Sequence, residues 1–300
     1  MEIIQSIILG IIQGVAEFLP ISSSGHLVLI PHIFGWQDQG LAFDVALHWG
    51  TLFAVLLYFW KDWAEIFRKS YLLSKFKSIK RNRWFHSPDR AVEPIAQDGS
   101  TVLSPRWSQR VNIQYLKKDI LFIIIVATIP GIIAGLLLNN YAETVFRDPL
   151  IVAGALFVGA ILLFYSDKIG AKKSGLTNLS LKMGILIGLF QALAIIPGVS
   201  RSGITITIAL LLGMQRISAA RFSFLLSTPI ILGAGIMEFP SLIESGLNIN
   251  ILVGVLVSAI SGYLAIKYML KYLENRSYNI FVGYRIVLAI LIIILFIDKI

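Results

Sequence analysis

Two stretches decide how this chain folds: residues 10–26, G-I-I-Q-G-V-A-E-F-L-P-I-S-S-S-G-H, and residues 188–203, G-L-F-Q-A-L-A-I-I-P-G-V-S-R-S-G. Laid over one another at a constant offset, without a gap, they coincide at Gly10 and Gly188, Gln13 and Gln191, Ala16 and Ala194, Ser22 and Ser200, Ser24 and Ser202, and Gly25 and Gly203. Both sit in strongly apolar surroundings. Polar groups at membrane depth are costly and read as functional by default. Two such clusters at one offset predict a duplicated fold with a single site where the repeats meet.

Composition agrees with that reading. The 300 residues are 56% hydrophobic and 14% charged, with mean hydropathy +0.78. A soluble domain would carry about 25% charged residues. The expectation is an all-α, polytopic integral membrane protein. The absence of cysteine excludes disulfides and Cys-ligated metals. The first ten residues, M-E-I-I-Q-S-I-I-L-G, have no basic n-region and no small-residue cleavage site, so they read as mature chain.

The net charge of +9 is concentrated in one place: residues 61–118 hold 13 Lys/Arg against 5 Asp/Glu. The positive-inside rule accounts for this cytoplasmic loop, so no nucleic-acid partner is expected. Its first part, residues 61–77, places apolar residues at roughly helical spacing among basic ones. That suits a helix lying on an anionic leaflet. Residues 78–109 contain Pro88, Pro94, Gly99 and Pro105 and show no periodicity, which predicts a flexible loop or an insertion.

With that loop inside, six spans follow in alternating direction: residues 41–60, 120–138, 150–165, 218–237, 251–270 and 280–297. Lys168, Lys172, Lys173, Lys182, Arg216, Lys267, Lys271 and Arg276 fall on the inner side. The outer loops hold Asp38, Glu143, Arg147, Asp148 and Glu244, so they are nearly free of Lys and Arg. The two motif regions are too short for full spans, which need about 20 apolar residues. Broken by Pro and Gly, they read as re-entrant helical hairpins whose irregular tips are surrounded by protein or a water-filled cavity. Three spans per half makes the second half inverted relative to the first. The whole chain, residues 1–300, is then one membrane domain. Repeat one covers about residues 1–165 and repeat two about residues 181–298.

The tips carry the chemistry. In the first, Pro20 ends the incoming arm, and Ser22, Ser23 and Ser24 cluster hydroxyls at the start of the second arm. Gly25 lets backbone approach a ligand closely, and a helix N-terminus there favours an anion. Glu17 and His26 add a carboxylate and a group that titrates near neutrality. The second tip repeats the pattern with Ser200, Ser202 and Thr205 and adds Arg201, whose planar fork matches phosphate oxygens. A serine able to attack, a proton-moving histidine, a glutamate and an arginine suit phosphoryl transfer. Structural readings stand beside these. Gly10, Gly14, Gly131, Gly135, Gly154 and Gly159 read as helix-packing positions. Ser22, Ser24 and Ser202 suit capping as well as binding. Arg201 could form an ion pair with Glu17. His48, with Asp44, is a weaker candidate that could face the cavity, and His32 and His86 are weaker still.

On these residues the chain resembles the bacterial undecaprenyl-diphosphatase family of the bacitracin-resistance type. The signatures are Q-G-V-A-E-F-L-P-I-S-S-S-G-H-L and P-G-V-S-R-S-G-I-T, supported by F-D-V-A-L-H-W-G-T-L-F-A-V and A-A-R-F-S-F-L-L-S-T-P. The resemblance implies hydrolysis of undecaprenyl diphosphate to undecaprenyl phosphate and inorganic phosphate. It implies a multi-pass protein of the bacterial plasma membrane, recycling the lipid carrier of cell-wall synthesis, with a site open to the outer face. It places the essential carboxylate on Glu17, the nucleophile on Ser23 and the histidine on His26. The phosphate grip falls on Ser200, Arg201, Ser202 and Thr205. It implies a divalent cation, Mg2+ or Ca2+. Some members have a second glutamate where this chain has Gln13, so a metal here would rest mainly on Glu17. A different lipid-phosphatase class shares the S-G-H triplet and an S-R pair, but it needs a histidine soon after the S-R, and Ser202–Ala209 contains none. The alternative function is transport: inverted repeats with broken hairpins are a transporter layout, and the chain could flip a polyprenyl phosphate. The sequence leaves the oligomeric state open, a homodimer included.

Overall fold

Apolar runs without charge form the helices here, and several continue through prolines (Pro31, Pro130 and Pro229) and through glycines such as Gly10 and Gly14. The structure is a computed structural model that describes residues 2–37, 40–70, 119–244, 246 and 248–296. In chain order the helices are α1 (Ile3–Phe18), α2 (Ser23–Ile33), α3 (Gly40–Tyr58), α4 (Trp60–Ser70), α5 (Ile120–Glu143), α6 (Pro149–Ile169), α7 (Leu181–Gln191), α8 (Arg201–Leu211), α9 (Arg216–Met237), α10 (Phe239–Glu244), α11 (Ile249–Leu273) and α12 (Asn279–Phe296). Among the described residues there is no β-strand, only an isolated bridge between Ser174 and Met214.

Among the described residues, five helices are long and apolar enough to cross a bilayer: α5, α6, α9, α11 and α12. A sixth is obtained if α3 and α4 count as one span, bent by 71° at Phe59. The bend separates an apolar segment from a basic amphipathic one. Asp62, at the start of α4, holds it to α9 through Arg221 Nη2 at 2.5 Å. The amphipathic helix expected over residues 61–77 is thus present up to Ser70. Its remainder and the loop at 78–109 lie outside the described residues. The helices α5, α6 and α11 run past the sequence-based limits at their C-terminal ends, to Glu143, Ile169 and Leu273; at their N-terminal ends Asp148 caps α6 by accepting from the Leu150 and Ile151 amides, and Asn248 caps α11 by accepting from Ile251 N.

Of the short helices, α8 is buried along most of its length, whereas α1 and α7 each present one face outward. Gly10 and Gly188, equivalent in the sequence alignment, do the same work. A Cβ on Gly10 would lie 2.7 Å from the Gly254 carbonyl oxygen, and one on Gly188 would lie 2.3 Å from that of Ala127. Gly14 is tighter still, 2.0 Å from Ser261 Oγ and 2.5 Å from the Ser258 carbonyl. These contacts seat α1 on α11 and α7 on α5 at backbone distance. Gly159 and Gly131 are also close-approach positions. Gly135 and Gly154 are not: a Cβ at either would meet nothing within 4 Å, which corrects the packing role read for them from sequence.

Candidate active site

The two tips are built alike. Leu19 takes an extended conformation ahead of Pro20, as the proline ring requires, and α1 stops at Phe18. Ser22 then turns at φ 73°, and its hydroxyl accepts from the Gly25 amide at 3.3 Å, capping α2. In the second tip Ser200 turns at φ 69°, and its hydroxyl accepts from the Gly203 amide at 3.1 Å, capping α8. Positive φ on a non-glycine residue is costly and concentrates at functional sites. Gly203 has no room for a side chain, since a Cβ there would lie 2.7 Å from Arg285 Nη1.

The tips also hold each other. The Gly198 amide donates to Ser22 Oγ at 2.9 Å, and Ser202 Oγ donates to the Leu19 carbonyl at 3.1 Å. Arg285 of α12, fully buried, reaches both. Its guanidinium donates to the carbonyls of Pro20 (3.3 Å), Gly198 (3.0 Å) and Val199 (3.1 Å), and to Leu156 and Ala155 of α6. Gly159 makes space for it, because a Cβ there would fall 2.0 Å from Nη2.

Glu17 is the hub of the site and is 7% exposed. Its Oε1 receives Arg201 Nη2 at 2.5 Å. Its Oε2 receives Ser23 Oγ at 2.6 Å and Gln13 Nε2 at 3.1 Å, and lies 3.4 Å from His48 Nε2. The ion pair between Glu17 and Arg201 weighed as an alternative at the sequence level is therefore formed. Arg201 Nη1 also donates to the Ser223 carbonyl at 3.1 Å. Thr205 spends its hydroxyl on Ser223 Oγ and on the Arg201 carbonyl, while Ser200 and Ser202 contact each other at 3.2 Å and Ser22 and Ser24 at 3.4 Å.

His26 stands apart from this hub. Its Nδ1 faces the Ser22 carbonyl at 2.7 Å, and its Nε2 faces the Tyr284 hydroxyl at 2.6 Å. A carbonyl only accepts, so Nδ1 carries hydrogen, and in the neutral ring Nε2 accepts from Tyr284. Both nitrogens are occupied away from Ser23. Of the two proton acceptors considered for Ser23, the one in contact is Glu17.

The sequence reading ranked His48 too low and passed over Tyr284 and Arg285. His48 Nδ1 donates to the Asp44 carbonyl at 2.7 Å, so the ring can hydrogen-bond Glu17 only when the pair holds one further proton. The available signal was a polar pair, Asp44 and His48, inside an otherwise apolar run. Asp44 in turn meets Arg147 at 3.5 Å, which explains the lone outer-loop arginine.

The donor set does not fit a divalent cation held by the protein alone. Among the described residues no three His, Asp or Glu side chains gather into a metal-binding group. Both Glu17 oxygens are already engaged, one of them by a guanidinium, and Gln13 brings no charge.

Comparison with known proteins adds the family. The family model described as bacitracin resistance protein BacA matches residues 6–291. The chain belongs to the BacA family. Its similarity to individual relatives extends over nearly the whole chain. It is 45% identical to the undecaprenyl-diphosphatase of Moorella thermoacetica, over 99% of this chain and 98% of that protein. It is 42% identical to that of Pelotomaculum thermopropionicum, over 98% and 97%, and 41% identical to that of Caldicellulosiruptor bescii, over 98% and 97%.

Proposed function

We propose that the protein hydrolyses undecaprenyl diphosphate to undecaprenyl phosphate and inorganic phosphate. In this reading it recycles the carrier for peptidoglycan synthesis and thereby gives resistance to bacitracin. The observation that carries the reading is the Ser23–Glu17–Arg201 contact, which puts a nucleophile, its proton acceptor and an anion-binding fork on one carboxylate. The names of full-length relatives supply the substrate.

The incoming diphosphate takes Arg201 from Glu17, together with the free amides at the N-termini of α2 and α8. Ser23 Oγ attacks the terminal phosphorus as its proton passes to Glu17. The bond from that phosphorus to the bridging oxygen breaks, and undecaprenyl phosphate leaves with the electron pair. Water then cleaves the phosphoserine. Ser22, Ser24, Ser200, Ser202 and Thr205 shape the cradle, chiefly by fixing its backbone. At the hub only Glu17 would offer a carboxylate to a divalent cation, Mg2+ or Ca2+, which would screen the charge of the diphosphate.

The same reading makes the protein a plasma-membrane protein of six spans, α3 with α4 forming the bent one. The pairs α1–α2 and α7–α8 are re-entrant hairpins of two inverted repeats, and the site opens outward. The paired tips also favour a second reading, transport of a polyprenyl phosphate. Phosphate release decides between them: purified protein in detergent, with no second compartment, frees inorganic phosphate from undecaprenyl diphosphate if it is the enzyme. A transporter frees none under any divalent cation.

A further inference from the structure

Within that reading, and resting on its assignment of Arg201 as the group that takes the diphosphate, one neighbour of Arg201 has no assigned work. An arginine side chain has many rotamers, and holding it in one place costs conformational entropy. Arg201 opens α8, and a residue of α9, the fully buried Ser223, holds it from outside the tips. The Ser223 carbonyl receives Arg201 Nη1 at 3.1 Å. The Ser223 hydroxyl lies 2.7 Å from Thr205 Oγ1, which in turn lies 2.8 Å from the Arg201 carbonyl and 3.2 Å from that of Ser202. Carbonyls only accept, so Thr205 gives its one hydroxyl proton to them, and the Ser223 hydroxyl donates to Thr205. Ser223 therefore grips Arg201 at both ends: the guanidinium directly, and the backbone through Thr205.

The first hairpin carries no such grip. At the offset that superimposes the tips, Thr205 falls on Leu27 and Ser223 on Val45, both apolar and buried. The residue in place of Arg201 there is Ser23, whose short side chain needs no support from outside. Of the two copies, the one with the hydroxyl pair is the one with the long cation.

We propose that Ser223 is a positioning residue for phosphate binding, and that its carbonyl is the pivot on which Arg201 turns from Glu17 to the diphosphate. Nη2 rests on Glu17 and Nη1 on Ser223. The Glu17 contact breaks when the diphosphate takes its place. The Ser223 contact persists, because a neutral carbonyl competes with a phosphate far less than a carboxylate does. One nitrogen stays anchored while the other donors of the planar fork change partner, so less freedom is lost with each new contact. The hydroxyl chain through Thr205 keeps the Arg201 backbone at the distance the pivot requires. Ser223 thus acts through Arg201.

The test uses the full-length purified protein with undecaprenyl diphosphate and the variants Ser223→Ala and Thr205→Val, each of which removes one hydroxyl. Both kcat and KM for phosphate release are measured, beside the melting temperature. The expected result is a KM raised about 3- to 10-fold, the worth of roughly one hydrogen bond, with kcat little changed, the signature of binding lost equally before and at the transition state. Thr205→Ser, which keeps the hydroxyl, should lose less than Thr205→Val. The double variant should bind no more weakly than Thr205→Val alone, because the two hydroxyls act in series. An unchanged KM in both single variants would overturn the pivot. So would additive losses in the double variant, or a fall in melting temperature and kcat with KM unmoved. The assignment of Arg201 has its own control: Arg201→Ala releasing phosphate with the wild-type KM would end that assignment whatever Ser223→Ala does.

Discussion

Ser23 and Arg201 stand at the same position of two copies of one turn, and Glu17 binds them both. Each is the first residue of its helix, directly after a serine cap at positive φ, and they coincide at the offset that relates the tips. Ser23 Oγ lies 2.6 Å from one Glu17 oxygen and Arg201 Nη2 lies 2.5 Å from the other. One framework thus holds a hydroxyl in one copy and a guanidinium in the other. The difference between the copies, rather than their similarity, supplies both halves of a phosphoryl-transfer site.

Glu17→Gln keeps the volume and the hydrogen-bonding capacity of the hub but removes its charge. Phosphate release from undecaprenyl diphosphate should fall by about 10²–10⁴-fold, the range for loss of a general base. Initial rates of phosphate release, beside circular dichroism to show intact helices, check this.

The serine caps make a stability prediction in which glycine should do better than alanine. Ser22→Ala loses the bonds from Gly25 and Gly198 and keeps a Cβ at φ 73°. The lost cap costs about 1 kcal/mol. Ser22→Gly loses the same hydroxyl but is free of the steric cost at positive φ, so it should destabilise less. The same order should hold at Ser200. Melting temperatures in one detergent measure both pairs.

Much of this was legible in the sequence, for reasons that can be named. Spans were readable because apolar length and charge asymmetry are strong signals, and α6 and α11 fall where they were expected. The tips were readable because Ser22, Ser24 and Gly25 recur as Ser200, Ser202 and Gly203, with a proline shortly before each set, Pro20 and Pro197. What sequence could not give was the wiring. The choice of Glu17 over His26 as the partner of Ser23 depends on which way an imidazole turns, and that depends on Tyr284, far away in the chain. Arg285, an arginine inside the apolar run 280–297, was a signal passed over; its partners were not legible, because backbone carbonyls leave no mark in side-chain pattern. Gly135 and Gly154 failed as packing positions because a glycine in an apolar helix looks the same whether or not a neighbour touches it.

That glycine distinction is testable. Gly14→Ala drives a Cβ into the Ser258 carbonyl and Ser261 Oγ, and overpacking of this kind costs about 1–3 kcal/mol. Gly135→Ala meets open space and gains helix propensity of up to about 1 kcal/mol. Thermal melting should show Gly14→Ala lowered and Gly135→Ala unchanged or raised.

Arg285→Lys keeps the positive charge but not the fork that serves carbonyls on three elements. Each buried acceptor left without a donor costs about 1–3 kcal/mol. The variant should melt well below the wild type and lose activity, and Arg285→Met should fare worse, with expression level and melting temperature as readouts.

The most direct measurement is the initial rate of phosphate release from undecaprenyl diphosphate by wild type, Ser23→Ala and Arg201→Ala in the same detergent. The account predicts steady release by the wild type and near-complete loss in both variants, since each removes one of the two groups that Glu17 brings together. Substantial release by Ser23→Ala would contradict attack by serine, and substantial release by Arg201→Ala would contradict the joined tips as the place where the diphosphate is held.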